Sequence, residues 1–206
     1  MTATTRVVVA TGNAGKLAEL RELLADTGME LVAQTELGID EVEETGASFV
    51  ENALIKARHA SRQSGLPALA DDSGLLVTAL AGAPGLHSAR YAGVGAGATA
   101  NIEKLLAALA QRPDAGRDAC FYACLVLLRH ADDPLPVIAE GLWRGSILES
   151  PLGAGGFGYD PVFLDPGQGL SAAQMAPALK SRISHRARAV TELRRRLSDP
   201  QTPPLG

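Results

Sequence analysis

Arg6-Val7-Val8-Val9-Ala10-Thr11-Gly12-Asn13-Ala14-Gly15-Lys16-Leu17 is the stretch that sets the fold class. Its first five residues are a short β-branched apolar run, the pattern of a buried strand. From Leu17 onward the leucines at 17, 20, 23 and 24 recur at helical spacing, while Glu19, Arg21 and Glu22 fill the other face. A buried strand that feeds a glycine turn and then an amphipathic helix opens an α/β domain. Gly28 offers a stop for that helix, because glycine accepts the left-handed conformation at a helix end. Residues 30–34 read as a second strand.

The same alternation continues outward. Residues 35–46 are polar and acidic, with Glu36, Asp40, Glu41, Glu43 and Glu44. A helix is expected over residues 47–63, with Phe49, Ala53, Leu54, Ala57 and Ala60 on one stripe. Residues 68–71 read as a strand that ends in an acidic turn, Asp71-Asp72-Ser73-Gly74. Residues 81–97 are rich in glycine and small residues and read as loop, and residues 99–110 as a helix. Residues 119–129 and 135–147 read as long strands, an antiparallel pair joined through Asp132-Asp133-Pro134. A glycine loop at 151–160 precedes a short strand at 162–164. The last helix carries Ile183, Ala187, Val190, Leu193 and Leu197, with its start near Lys180. Residues 198–206 hold three prolines and read as a flexible tail, so residues 1–197 form the single domain.

Composition removes several classes of function. The 206 residues are 46% hydrophobic and 20% charged, ordinary for a globular protein with a real core. The formal net charge is -4, so no global basic field attracts duplex nucleic acid, and a polyanionic ligand needs local cations or a metal. Cys120 and Cys124 lie in one apolar run and read as buried thiols, since two cysteines alone build no zinc site. Residues 1–6 lack a signal-peptide core, and no run of about 18 uncharged apolar residues exists. The expected location is the cytoplasm.

Five motifs carry chemistry. Thr11-Gly12-Asn13-Ala14-Gly15-Lys16 lies between strand and helix, where helix amides and the dipole favour an anion and Lys16 adds a cation. It is not a P-loop: Ala10 replaces the first glycine and Leu17 replaces the magnesium-binding Ser or Thr. Without a ligand it would be a tight turn with a lysine. Asp71 and Asp72, at the end of a strand, suit magnesium or the activation of water, or else form a solvated Asx turn. Glu43-Glu44-Thr45-Gly46 precedes the long helix and supplies either a metal carboxylate or acids for the helix dipole. On that helix, Lys56 lies one turn beyond Asn52 and either faces the same cleft or pairs with Glu51 or solvent.

Residues 153–161 contain a literal G-x-G-x-x-G at Gly153, Gly155 and Gly158, but Pro161 and a strand follow where a dinucleotide site needs a helix. Phe157 and Tyr159 in that loop suit stacking on a flat base, or plugging the core edge. Lys180, His185 and Arg186 supply donors and almost no acceptors. Aimed at a purine O6, they would favour a 6-oxo base and reject a 6-amino group, because donor facing donor leaves buried groups unpaired. The alternative is a basic, solvated helix face.

These pieces, in this order, resemble the inosine/xanthosine triphosphate pyrophosphatase family. The matching segments are residues 11–16, 43–46, 49–53, 71–75, 82–85, 88–91, 156–161 and 184–186, within a resemblance that spans about residues 6 to 197. The resemblance implies an elongated mixed β-sheet flanked by helices, two lobes around a central nucleotide cleft, and a homodimer. It implies Mg²⁺-dependent cleavage between the α and β phosphates of ITP, dITP and XTP, giving the monophosphate and pyrophosphate, with no nucleic acid polymer or membrane as partner. By the same resemblance Thr11, Gly12, Asn13, Ala14, Gly15, Lys16 and Ser73 bind substrate, and Asp72 is proton acceptor and metal ligand. Glu43 is the second ligand, with Glu44 as rival. Phe157, Gly158, Tyr159, Asp160, Lys180, His185 and Arg186 bind base and phosphates. Lys16 and Lys56 neutralise developing charge, which places Lys56 with Asp72 in the catalytic set.

Overall fold

In the computed structural model, which describes residues 4–205, the opening run becomes β1 (Thr5–Ala10), and Val7, Val8 and Val9 are completely buried. Residues 1–3 and Gly206, part of the expected polar start and of the tail, lie outside the described residues. The glycine turn delivers α1 (Ala14–Leu23), which ends before Gly28. Then follow β2 (Met29–Ala33), α2 (Phe49–Ser64), β3 (Ala68–Val77), α3 (Gly97–Ala110), β4 (Asp118–Leu128) and β5 (Val137–Ile147). The chain closes with β6 (Phe163–Asp165), β7 (Leu170–Ser171), α4 (Pro177–Ile183) and α5 (His185–Leu197). The described strands form one seven-stranded sheet in the order β2-β1-β3-β4-β5-β6-β7. β1 runs parallel to β2 and β3, whereas β6 is antiparallel to β5 and β7, so the expected mixed α/β sheet is what forms.

The chain divides into two compact units. The first takes the chain through Asp72, the stretch Ala123–Gly141 and the chain from Arg186 on; the second takes Ser73–Tyr122 and Leu142–His185. The first core gathers Val7, Val9, Leu20, Leu24, Leu69, Leu125, Leu127, Val190 and Leu193, and Leu205 packs against it. The second gathers Leu75, Val77, Leu105, Phe121, Trp143, Val162 and Phe163. Each such side chain contributes about 1.5–3 kcal/mol by leaving water. Trp143 also satisfies its indole, which donates to Asp165 Oδ2 at 2.6 Å. Neither cysteine is joined in a disulfide; Cys124 is buried and Cys120 half-buried. Among the described residues no helix is long and apolar enough to cross a membrane.

Two local expectations are corrected. The acidic turn at Asp71–Gly74 is not a turn: β3 runs straight through it to Val77. β4 is its neighbour in the sheet beyond the end of β1, and cations meet both carboxylates, so extended backbone survives where isolated Asp and Gly disfavour it. The final helix does not start at Lys180. It is two helices broken at Ser184, whose φ of -65° and ψ of 162° are extended. The loop over residues 81–97 also contains a 3₁₀ segment, Gly85–Arg90.

Candidate active site

β1 stops at Ala10, which pairs with Ala70 of β3, so the chain that leaves β1 lies beside the next residue of β3, Asp71. Thr11 and Asn13 shape the turn through their side chains. Thr11 Oγ1 accepts from the Asn13 amide at 3.1 Å, and Asn13 Oδ1 caps α1 by accepting from the Lys16 amide at 3.0 Å. That leaves the first-turn amides of Ala14 and Gly15 to meet an anion. A Cβ at Gly12 would meet the carboxylate of exposed Glu41, which would have to move aside.

Successive side chains of a strand point to opposite faces, and β3 uses this to give its two carboxylates different partners. Asp71 is completely buried; its Oδ1 lies 3.0 Å from Lys16 Nζ and its Oδ2 lies 2.7 Å from Arg186 Nε. Burial alone would push its pKa up, but Arg186 and Lys16 outweigh that and hold it well below the usual carboxylate range. Asp72 accepts from Lys56 Nζ at 2.6 Å, and the same ammonium lies 2.9 Å from Glu44 Oε1. For Asp72 burial dominates over Lys56, and its pKa is raised. Burial acts against Lys56, but Asp72 and Glu44 together raise its pKa. Lys16, desolvated in the same unit, has its pKa lowered despite Asp71. Glu43, expected as second ligand, is exposed; the carboxylate that reaches Lys56 is that of Glu44. Asn52 holds the preceding turn, accepting from the Gly46 amide at 2.8 Å.

The second unit assembles the other expected residues around Asp160. Its buried Oδ2 accepts from Lys180 Nζ at 2.6 Å and from the Phe157 amide at 2.8 Å. Lys180 Nζ lies 4.8 Å from the Phe157 ring centroid, a cation–π contact. A Cβ on Gly156, whose φ is 70°, would overlap Asp160, so this tight loop needs glycine there. Gly158 also has a positive φ, 61°. His185 is buried and stacks on Phe121, with centroids 4.8 Å apart. Tyr159 joins the core instead of presenting a stacking face: it is buried, and its hydroxyl donates to the Ser88 carbonyl at 2.9 Å. Ser73 is the next residue of β3 after Asp72 and is half-buried.

The Ham1 family model matches residues 7–196. The chain belongs to the Ham1 family. A protein named dITP/XTP pyrophosphatase from Xanthomonas campestris pv. campestris is 63% identical over 191 residues, covering 93% of this chain and 96% of that one. One of the same name from Shigella flexneri is 55% identical over 185 residues, covering 90% and 94%. The structure of a HAM1 protein from Coxiella burnetii matches with a TM-score of 0.86 and 48% identity, covering 92% of this chain and 96% of that chain.

In this Ham1 chain, then, the first unit brings together Thr11–Lys16, Glu44, Lys56, Asp71, Asp72 and Arg186, and the second brings together Phe157, Asp160 and Lys180. Sequence reasoning gave Asp71 no task separate from Asp72 and overlooked Glu19, whose carboxylate pairs with Arg186. A signal for Glu19 existed: it stands three residues after Lys16, on the same helical face.

Proposed function

We propose that this chain hydrolyses deaminated purine nucleoside triphosphates (ITP, dITP and XTP) to the monophosphate and pyrophosphate, removing them from the nucleotide pool. The observation that carries the reading is the convergence of Lys16 and Lys56 on Asp71 and Asp72 beside the turn that opens α1. Cations set against paired carboxylates next to a helix N-terminus suit phosphoryl chemistry, where positioning and electrostatics do most of the work. The names of relatives at 55–63% identity support the choice of base.

Two carboxylates, Asp72 and Glu44, meet one ammonium, so they are near neighbours. That all-oxygen donor set fits Mg²⁺, which takes one or two carboxylates and fills its shell with phosphate oxygens and water. Asp72 and Glu44 would hold the ion, with Glu43 one residue away. Bound there, it supplies Lewis-acid neutralisation of the phosphates.

Asp72 accepts a proton from the attacking water; in the metal-free protein burial raises its pKa. Lys56 keeps it oriented, and Lys16 with the α1 amides receives the phosphates. Ser73, Phe157, Gly158, Tyr159, Asp160, Lys180, His185 and Arg186 complete the substrate-binding set, with Lys180 and Phe157 on the base and Tyr159 and Arg186 acting from buried positions. The chain works in the cytoplasm as a homodimer.

The test incubates the protein with Mg²⁺ and ITP, XTP, ATP or GTP and identifies the phosphate product. Pyrophosphate from ITP and XTP, with little from ATP, is expected. Release of orthophosphate, or binding without turnover, would refute the reading.

A further inference from the structure

We infer that Asp71, backed by Arg186 and Glu19, is a positioning assembly that aims Lys16 at the substrate's phosphates, and that Arg186 serves the phosphate end through Asp71. The inference rests on residues 11–16 being the phosphate cradle.

Every oxygen of Asp71 is engaged by a cation. Oδ1 takes Lys16 Nζ at 3.0 Å and Arg186 Nη2 at 3.4 Å, and Oδ2 takes Arg186 Nε at 2.7 Å. Its carbonyl accepts from Lys56 Nζ at 3.0 Å and from Lys16 Nζ at 3.4 Å. Arg186 is 1% exposed and donates through Nη1 to Glu19 of α1. One guanidinium thus ties the first turn of α5 to β3 and to α1, the helix that bears Lys16. A guanidinium's rigid fork suits this, because each bond it makes fixes the direction of the others.

Lysine is the opposite case, a point charge on a flexible stem that loses rotamer freedom when it grips a phosphate. Holding Lys16 before substrate arrives removes that ordering cost from binding and from the transition state. An ammonium has three donors; Asp71 takes two, through its carboxylate and its carbonyl, and the third remains for a phosphate oxygen. Arg186 shares the Asp71 carboxylate with Lys16, so Lys16 is left only partly neutralised by it. With both oxygens of Asp71 turned to buried cations, the carboxylate available to metal and water on β3 is Asp72.

A double-mutant cycle over Asp71→Asn and Lys16→Met tests this, read as kcat/KM for pyrophosphate release from ITP and as calorimetric affinity for inorganic tripolyphosphate. Each single variant should lose about a hundredfold in kcat/KM and about tenfold in tripolyphosphate affinity. The double variant should lie within about threefold of Lys16→Met in both, because Asp71 has nothing left to aim. Losses that multiply would overturn the inference, as would full tripolyphosphate affinity in a folded Asp71→Asn protein. Should Asp71→Asn fold poorly, Glu19→Gln loosens Arg186 from a half-buried position; it should cost about fivefold, an effect that vanishes in the Lys16→Met background and whose persistence there would equally refute the assembly. The tripolyphosphate arm needs no nucleoside, so a wild type that binds tripolyphosphate but spares ITP would strike the proposed function and leave this cycle readable.

Discussion

At the scale of the residue, Asp71 and Asp72 are the same side chain given opposite environments by strand alternation. Asp71 has cations on every oxygen and is held ionised; Asp72 has one strong partner in Lys56, and burial prevails. A base must be able to take a proton, so Asp72→Asn should lower turnover of ITP by at least about a thousandfold, the range expected when a proton acceptor and ligand is lost together. The variant should keep the wild-type circular dichroism and melting temperature to within a few degrees, because Asn replaces Asp without a cavity. Full activity would remove Asp72 from the mechanism. The neighbouring acids give a second residue-level contrast. Glu44 reaches Lys56 whereas Glu43 is exposed, so Glu44→Gln should weaken Mg²⁺ dependence about tenfold or more and Glu43→Gln by less. Titrating Mg²⁺ against initial rate for both variants distinguishes them, and the reverse order would return the ligand to Glu43.

At the scale of the element, legibility followed how local each signal was. The opening strand, turn and helix were readable because every feature lies within neighbouring residues: β-branched run, glycine turn, leucine spacing. The helix over residues 47–63 formed as α2 for the same reason, with Ser48 as its cap accepting from the Glu51 amide. β3 was misread as ending at Asp71, since what keeps two aspartates and a glycine extended is a set of cations 15 to 115 residues away in sequence. The break at Ser184 was missed because serine is no obligatory helix breaker. Tyr159 and Arg186 look like binding residues by type, and only the tertiary structure reveals both as buried and engaged. A hairpin element gives a stability prediction of this local kind. Asp133 is buried between β4 and β5; it pairs with the Arg129 guanidinium and accepts from the Arg129 and Leu135 amides. The hydrogen bonds from Arg129 depress its pKa well below the usual range. Its contribution is therefore complete above the unfolded pKa of about 4 and is lost as pH falls through the lower folded value. Asp133→Asn should cost about 2 kcal/mol at neutral pH, and urea titrations at stepped pH should find that gap constant above about pH 5 and shrinking below about pH 4. A gap that widens toward acid would contradict the assignment.

At the scale of the whole molecule, the two cores are supplied by shared strands. β3 gives Leu69 to the first and Leu75 and Val77 to the second. β4 gives Leu125 and Leu127 to the first and Ala119 and Phe121 to the second, and β5 gives Ala139 to the first and Trp143 and Ile147 to the second. A strand cannot lose order at one end without loosening the ladder at the other, so the units should unfold in one cooperative step although each has its own core. Trp143, the one tryptophan of the chain, is a reporter confined to the second core. Leu125→Ala in the first core removes a completely buried side chain and should cost about 3 kcal/mol. For a chain of this length that lowers the melting temperature by roughly 6–12 °C. Trp143 fluorescence and far-ultraviolet dichroism should fall together by that same amount, although the substitution lies in the other unit. If the dichroism moved while the fluorescence transition stayed in place, the cores would be melting separately, and the continuity of β3, β4 and β5 would not be what makes the fold cooperative.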